Sequence, residues 1–413
     1  MKFILTGFFV LMIIQPMWAQ FNPLVTSRDS INFISKEKIL HDLDDYARGI
    51  AQNHIQPFTQ IKRRDFFDEI QKIKDSADKY DVDGLLTQLL KVNAMIQDEH
   101  TYIMYTSIDV FPLACYWFEE GIYITRTEHE NLDMLHSRVI AVNDLPIDEV
   151  VRRISELSPD KNIAAFKTAV QKYLFDPFVI HGLQVSPSRT NVVYTVVTLK
   201  NDTVKFTPVA KDRRSVNLSL GFDPKVFLRY SRKGNYWYKY IDSGNYIYFK
   251  YTSCYDQDKT HLLIDMENDL MKEIEERGPA KIVIDMRENG GGRVNLLMPF
   301  IDKLSRTLLN KKGRIYVLIG RRTFSAAILN SVTLKTRTYA QLIGEETSGS
   351  VVHFGSVRQF TLPETRLMVR YSTQYVVTEE KYDGSLRPDV VIPEKFSDYS
   401  KGIDAALNYA VTH

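Results

Sequence analysis

Cysteine is almost missing from this chain: 413 residues carry two, Cys115 and Cys254. That scarcity excludes a disulfide framework and a Cys-rich zinc site. A single Cys115–Cys254 bridge is left open by the sequence. An excess of charge of one sign is also lacking. Lys and Arg number 53 against 51 Asp and Glu, well mixed along the chain, so no electrostatic footprint for nucleic acid or an anionic membrane exists. Beyond the first twenty residues no apolar run is long enough to cross a bilayer. There is no His-Glu-x-x-His and no clustered Asp/Glu/His array, so no metal or organic cofactor is implied.

What is present is a globular composition, 44% hydrophobic and rich in Tyr and Phe, on a chain long enough for two or three domains. The amino terminus reads as a signal peptide: Lys2, an apolar run from Phe3 to Ile14, Pro16, and small Ala19 before the expected cleavage point. The expected mature chain starts at Gln20 and is periplasmic or secreted, with residues 1–19 removed. Residues 20–105 read as a helical region. Leu85, Leu86, Leu89, Leu90, Val92 and Ile96 recur at helical spacing, and Pro57 breaks an earlier helix.

Residues 106–235 form a mixed region. Gly121–Thr125 alternates as a strand does, Ser137–Val142 is a strand running into an Asn143-Asp144 turn, and Ile147–Ile154 reads as a helix. From about Tyr236 to His413 strands and helices alternate. Lys281–Asp285 and Arg314–Ile319 are short apolar runs of the kind buried on both faces of a sheet, and Leu263, Met266, Leu270 and Ile274 stripe a helix that stops at Gly278-Pro279. The fold class is thus α/β and multidomain: a helical bundle, an α+β middle module, and a carboxyl-terminal α/β domain around a mostly parallel sheet.

Two loops at the carboxyl ends of predicted strands stand out, where open α/β sheets place their ligands. The first is Asp285-Met286-Arg287-Glu288-Asn289-Gly290-Gly291-Gly292. Its glycines expose backbone N–H groups, although a flexible turn would read the same way. The run has neither the Lys-Ser/Thr ending of a phosphate loop nor the spaced glycines of a dinucleotide site. The second is Thr323-Phe324-Ser325-Ala326-Ala327, after the strand that ends at Gly320. A serine there is either a helix cap or a nucleophile whose developing charge meets a helix amino terminus.

Taken together, these loops resemble the tail-specific, or carboxyl-terminal-processing, serine peptidase family, as do Gly344-Glu345-Glu346-Thr347-Ser348-Gly349 and Leu386-Arg387-Pro388-Asp389-Val390. The resemblance implies a catalytic domain of the crotonase/ClpP-like type. It also implies a PDZ-like middle module, which Val139–Asp144 resembles more loosely. One branch of the family pairs serine with a lysine in a Gly-Lys-Gly setting. Here that setting is Gly349-Ser350-Val351, and Lys335 comes too early. The other branch, similar to the tricorn protease core and to interphotoreceptor retinoid-binding protein, takes its base from an Asp-x-His-Thr setting. Asp98-Glu99-His100-Thr101 matches it, with Glu99 where glycine is common.

The resemblance therefore implies Ser325 as nucleophile, His100 as base, and the N–H groups of Ala326 and Gly291, or Gly290, as oxyanion donors. His353 is the competing base. Asp383 is the best match for the acid that orients the histidine, with Glu380 or Glu379 as alternatives. The implied function is hydrolysis of extended or unfolded peptides through an acyl-enzyme, by an endopeptidase or a carboxyl-end-directed peptidase. The alternatives are a non-catalytic binder of an apolar ligand or peptide, and an esterase-like hydrolase. Peptide or protein is the expected partner; oligomeric state is not legible.

Overall fold

In the computed structural model, residues 34–220, 226–378 and 382–413 are described. The signal-peptide segment and the alternative acids Glu379 and Glu380 lie outside the described residues. No helix among the described residues is long and apolar enough to cross a membrane. Cys115 and Cys254 are both buried and free, so no disulfide joins them.

Three helices open the described chain: α1 (Lys36–Asn53), α2 (Arg63–Asp75) and α3 (Val82–Ala94). Ser35 caps α1 by accepting from Lys38 N, and Asp81 caps α3 by accepting from Gly84 N at 2.9 Å. The α3 stripe of Leu85, Leu86, Leu89 and Val92 is buried, as the spacing predicts. α1 ends at Asn53, just ahead of the break expected at Pro57.

The short strand β1 (Tyr102–Met104) follows these helices and begins the middle region. There, β2 (Leu113–Phe118), β3 (Gly121–Thr127), β4 (Arg138–Val142), β5 (Tyr194–Val197) and β6 (Thr203–Phe206) lie in that order in one antiparallel sheet. Asn143 and Asp144 have φ of 47° and 65° and join β4 to the pairing residues Leu145–Pro146. That is the two-residue turn with both φ positive that suits a right-twisted hairpin. Helices α4 (Ile147–Ser155) and α5 (Ile163–Tyr173) come next, and α5 packs on β2.

The last unit is built on β7 (Tyr236–Ile241), β8 (Tyr246–Tyr251), β9 (Lys281–Asp285), β10 (Ile315–Ile319), β11 (Gln341–Gly344) and β14 (Val390–Val391), neighbours in that order. β7 runs antiparallel to β8; every other pair is parallel. β9 and β10 are almost wholly buried because both sheet faces are covered. Helices α6 (Leu263–Arg277) and α7 (Ala326–Arg337) pack on one face and α8 (Ala405–Thr412) on the other. α6 ends where Gly278 takes the left-handed conformation, φ 57°.

One element departs from a linear division at residue 236. The hairpin of β12 (His353–Thr361) and β13 (Met368–Val376) leaves the α/β unit and pairs with β1, with Ile103 opposite Val369. Asp42 on α1 receives the N–H groups of Glu364 and Thr365 at 3.0 and 2.7 Å, and Leu362, Leu367 and Val369 enter the amino-terminal core. The residues that follow α3 and those that follow α7 are thereby laid side by side.

Candidate active site

The strand-end loops are stitched to each other. Phe324 N donates to Asn289 O at 2.9 Å, and Thr323 Oγ1 donates to Met286 O at 2.8 Å. Asp285 and Arg287 of the glycine-loop motif anchor it. Arg287 Nη2 binds Asp285 Oδ2 at 2.6 Å, and its guanidinium also grips Asp404 at the start of α8 with two contacts of 2.8 Å. Lys250, buried in an aromatic strand, lies 3.4 Å from Asp285 and 3.0 Å from Glu288. Burial opposes the Asp285 charge, but Arg287 and Lys250 hold its carboxyl well below the usual range.

Ser325 sits at the amino end of α7 with φ 51° and ψ −121°. A non-glycine residue at positive φ is strained and occurs where a turn must present a side chain. Gly291 (φ 93°) lies directly against this turn. A Cβ on Gly291 would fall 2.8 Å from Phe324 O, 2.9 Å from Ser325 Cβ and 3.1 Å from Ala326 N. The close approach of the loops therefore depends on a glycine at that position.

His100 reaches this turn from 225 residues earlier: its Nε2 is 3.0 Å from Ser325 Oγ. The ring is sandwiched between Phe324, centroids 4.8 Å apart, and His353, 5.0 Å apart and 14° from parallel. Burial pushes the His100 pKa down to about 4, and the facing His353 adds to the shift while Asp98 opposes it. The imidazole is thus neutral near pH 7 and has a lone pair for the serine proton.

Asp98 lies beneath the same turn. Burial would raise its carboxyl, but hydrogen bonds from His54, Thr101 and Ser372 outweigh that and keep it charged. Oδ1 accepts the backbone N–H of His100 at 3.0 Å and lies 4.0 Å from His100 Nδ1, beyond bonding distance.

The other expected residues fare differently. Asp383 does not reach the imidazole. It stands exposed on its turn with no hydrogen bond or ion pair to His100, while the next residue, Gly384, accepts from Val351 N. His100 Nδ1 is buried with no hydrogen-bond partner among the described residues. His353 does not touch Ser325; its Nδ1 lies 3.1 and 3.0 Å from the carbonyls of Ser350 and Val351. Gly291 N–H, expected to face the oxyanion, is directed instead at Asn289 Oδ1, 2.9 Å away. Ala326 N, in the first turn of α7, has no intrahelical acceptor. Gly290 flanks the same loop.

The two departures from the family pattern meet each other. Ser350 N, where one branch has lysine, donates to Glu99 Oε1 at 3.1 Å, where the other branch has glycine. Burial raises the Glu99 carboxyl well above its usual range. Burial likewise pushes the adjacent Asp160 up to about 6.

No curated protein matches the sequence. The model of peptidase family S41 matches residues 301–392, a span that contains Ser325 and both downstream motifs. Among solved structures, mature CPAF superposes with a TM-score of 0.65 at 13% identity, covering 91% of this chain and 96% of that one. CPAF complexed with lactacystin gives 0.65 at 12% identity, with 91% and 97% covered. Tricorn protease is a looser match, with a TM-score of 0.43 at 13% identity over 91% of this chain and 36% of that chain. The CPAF superpositions show a shared fold, and within it the segment 301–392, which contains the serine turn, is similar to peptidase family S41.

Proposed function

We propose that the chain cleaves extended or unfolded peptides by acyl-enzyme chemistry, with Ser325 as nucleophile and His100 as base. The observation that carries this reading is the 3.0 Å approach of His100 Nε2 to Ser325 Oγ. His100 takes the Oγ proton as Oγ attacks the scissile carbonyl, then gives it to the departing amine. Water repeats the sequence on the ester. Ala326 N–H supplies one oxyanion contact. Gly290 or Gly291 supplies the other, Gly291 only after Asn289 Oδ1 releases its N–H.

The middle region is proposed to be PDZ-like and to present the edge of β2 to an extended chain. The Cys115 and Trp117 carbonyls on that strand accept from Gln171 Nε2 and Arg321 Nη1, at 3.4 and 2.8 Å, so an added strand would displace those two side chains. Residues 1–19 are proposed to direct export and to be removed after Ala19.

The test is turnover of an unfolded protein, with covalent labelling by a fluorophosphonate, for Ser325→Ala, His100→Ala and His353→Ala. Ser325→Ala abolishes both signals, and His100→Ala lowers turnover by about 10⁴-fold or more. Full activity in His100→Ala with loss in His353→Ala would move the base to His353. Labelling without peptide cleavage, together with ester turnover, would favour the esterase reading.

A further inference from the structure

Among the described residues, no acid is hydrogen-bonded to the imidazole of the proposed base. To accept the serine proton at Nε2, His100 must carry its hydrogen on Nδ1, and Nδ1 is buried with no acceptor among the described residues. Asp98 cannot serve in this geometry. Its oxygens are taken by His54, Thr101, Ser372 and the His100 backbone N–H, and its nearer oxygen is 4.0 Å from Nδ1. Asp383 is exposed and unconnected to the ring. What does contact the ring is aromatic on both faces.

Both outer rings are themselves fixed. Phe324 belongs to the serine turn, and its N–H is bonded to Asn289 O. Gly349 makes room for it, since a Cβ there would meet the Phe324 ring at 2.7 Å. His353 begins β12 and is 6% exposed. Two carbonyl oxygens face its Nδ1, so that nitrogen carries the hydrogen and the ring is locked in one plane. We propose that His353 is a positioning residue: with Phe324 it clamps the His100 imidazole in the plane that presents Nε2 to Ser325. This rests on His100 being the base. Among the described residues, the charged or titratable groups around the clamp are Asp98 and His54, and Glu99 with Asp160 beyond Ser350.

The two properties of His353 are separable. His353→Phe keeps a ring and loses the carbonyl bonds; His353→Asn keeps a donor for the carbonyls and loses the ring. For these variants, His100→Ala and the parent, kcat and KM on an unfolded-protein substrate are measured across pH, alongside thermal melts. His353→Phe is expected to retain kcat within about threefold, and His353→Asn to lose about 10–100-fold in kcat with KM little changed, since misplacing a reacting group by an ångström costs rates of that order. In His353→Phe the acid limb of kcat/KM is expected to move to higher pH, because the ring facing His100 no longer carries a proton. A purely structural role predicts no such movement. Full kcat in His353→Asn, or loss in His353→Phe equal to that in His353→Asn, would overturn the clamp. Full activity in His100→Ala would instead overturn the reading beneath it. If His353→Asn does not fold, His353→Leu replaces it as the ringless variant and is held to the same outcomes.

Discussion

Replacing Gly291 by alanine isolates the contact on which the apposed loops depend. The φ of 93° costs a non-glycine residue about 1–2 kcal/mol. The added methyl also lies under 3 Å from Phe324 O and Ser325 Cβ, of which the former is backbone and cannot rotate away. Overpacking of that kind costs about 1–3 kcal/mol, so the loops must part. Parting them moves the glycine N–H groups away from the carbonyl held at Ser325. Loss of one oxyanion donor lowers kcat by about 10²–10³. The expected result for Gly291→Ala is therefore a fall of that size in kcat/KM and in the rate of fluorophosphonate labelling, with a melting temperature lowered by only a few degrees. Gly320→Ala is the control. Its Cβ would meet nothing nearer than 3.6 Å, in the loop that leads to the same serine, and activity should stay within about threefold, as ordinary van der Waals contact requires no displacement. If Gly291→Ala kept kcat/KM and labelling within threefold of the parent, the glycine would have no part in the chemistry and the reasoning from loop apposition would fail.

Because His100 must be neutral to act as base and burial holds its pKa near about 4, kcat/KM should rise with pH through about 4 and be flat from pH 5 to 7; a pH–rate profile with its acid limb at 6.5 would contradict that. Asp160 has a folded pKa raised to about 6 above its ordinary 3.8, so folding is most favoured below 3.8 and loses stability as pH rises through 6. Asp160→Asn should accordingly raise the melting temperature at pH 7–8 and leave it unchanged at pH 4, the gain being about 1–2 kcal/mol. Arg321 is buried, pairs with Glu345 at 2.7 Å and holds Trp117 O at 2.8 Å. Arg321→Met leaves Glu345 without that partner and should destabilise the fold by about 3–5 kcal/mol in chemical denaturation.

Ser325, the glycine loop and His100 were legible in the sequence because each lies in a short local pattern: a strand end followed by small residues, or a helix end followed by Asp-x-His-Thr. The parallel sheet was legible for the same reason, through wholly apolar runs such as Lys281–Asp285. The pairing of β13 with β1 was not, since no local feature of Met368–Val376 distinguishes a strand that stays in its own domain from one that crosses to another. In the sequence His353 stands out only as a competing base, because stacking is set by the hairpin's register and leaves no mark on residue type. Motif spacing points to Asp383, but its turn leaves it exposed to solvent. Asn289 stood within the motif, but a side chain that binds the N–H two residues ahead reads in sequence like any other turn residue.

The hairpin that carries His353 has a consequence for the order in which the molecule comes into being. His100 is synthesised long before Ser325, and the strand that fastens the two regions together, Met368–Val376, is later than both. A growing chain therefore lacks the pairing of β13 with β1 until the last tenth of the polypeptide is being made. The bonds of Ser350 N to Glu99 and of Arg321 to Trp117 O join the same regions. A truncated product that ends before Met368 would lack the strand that pairs with β1.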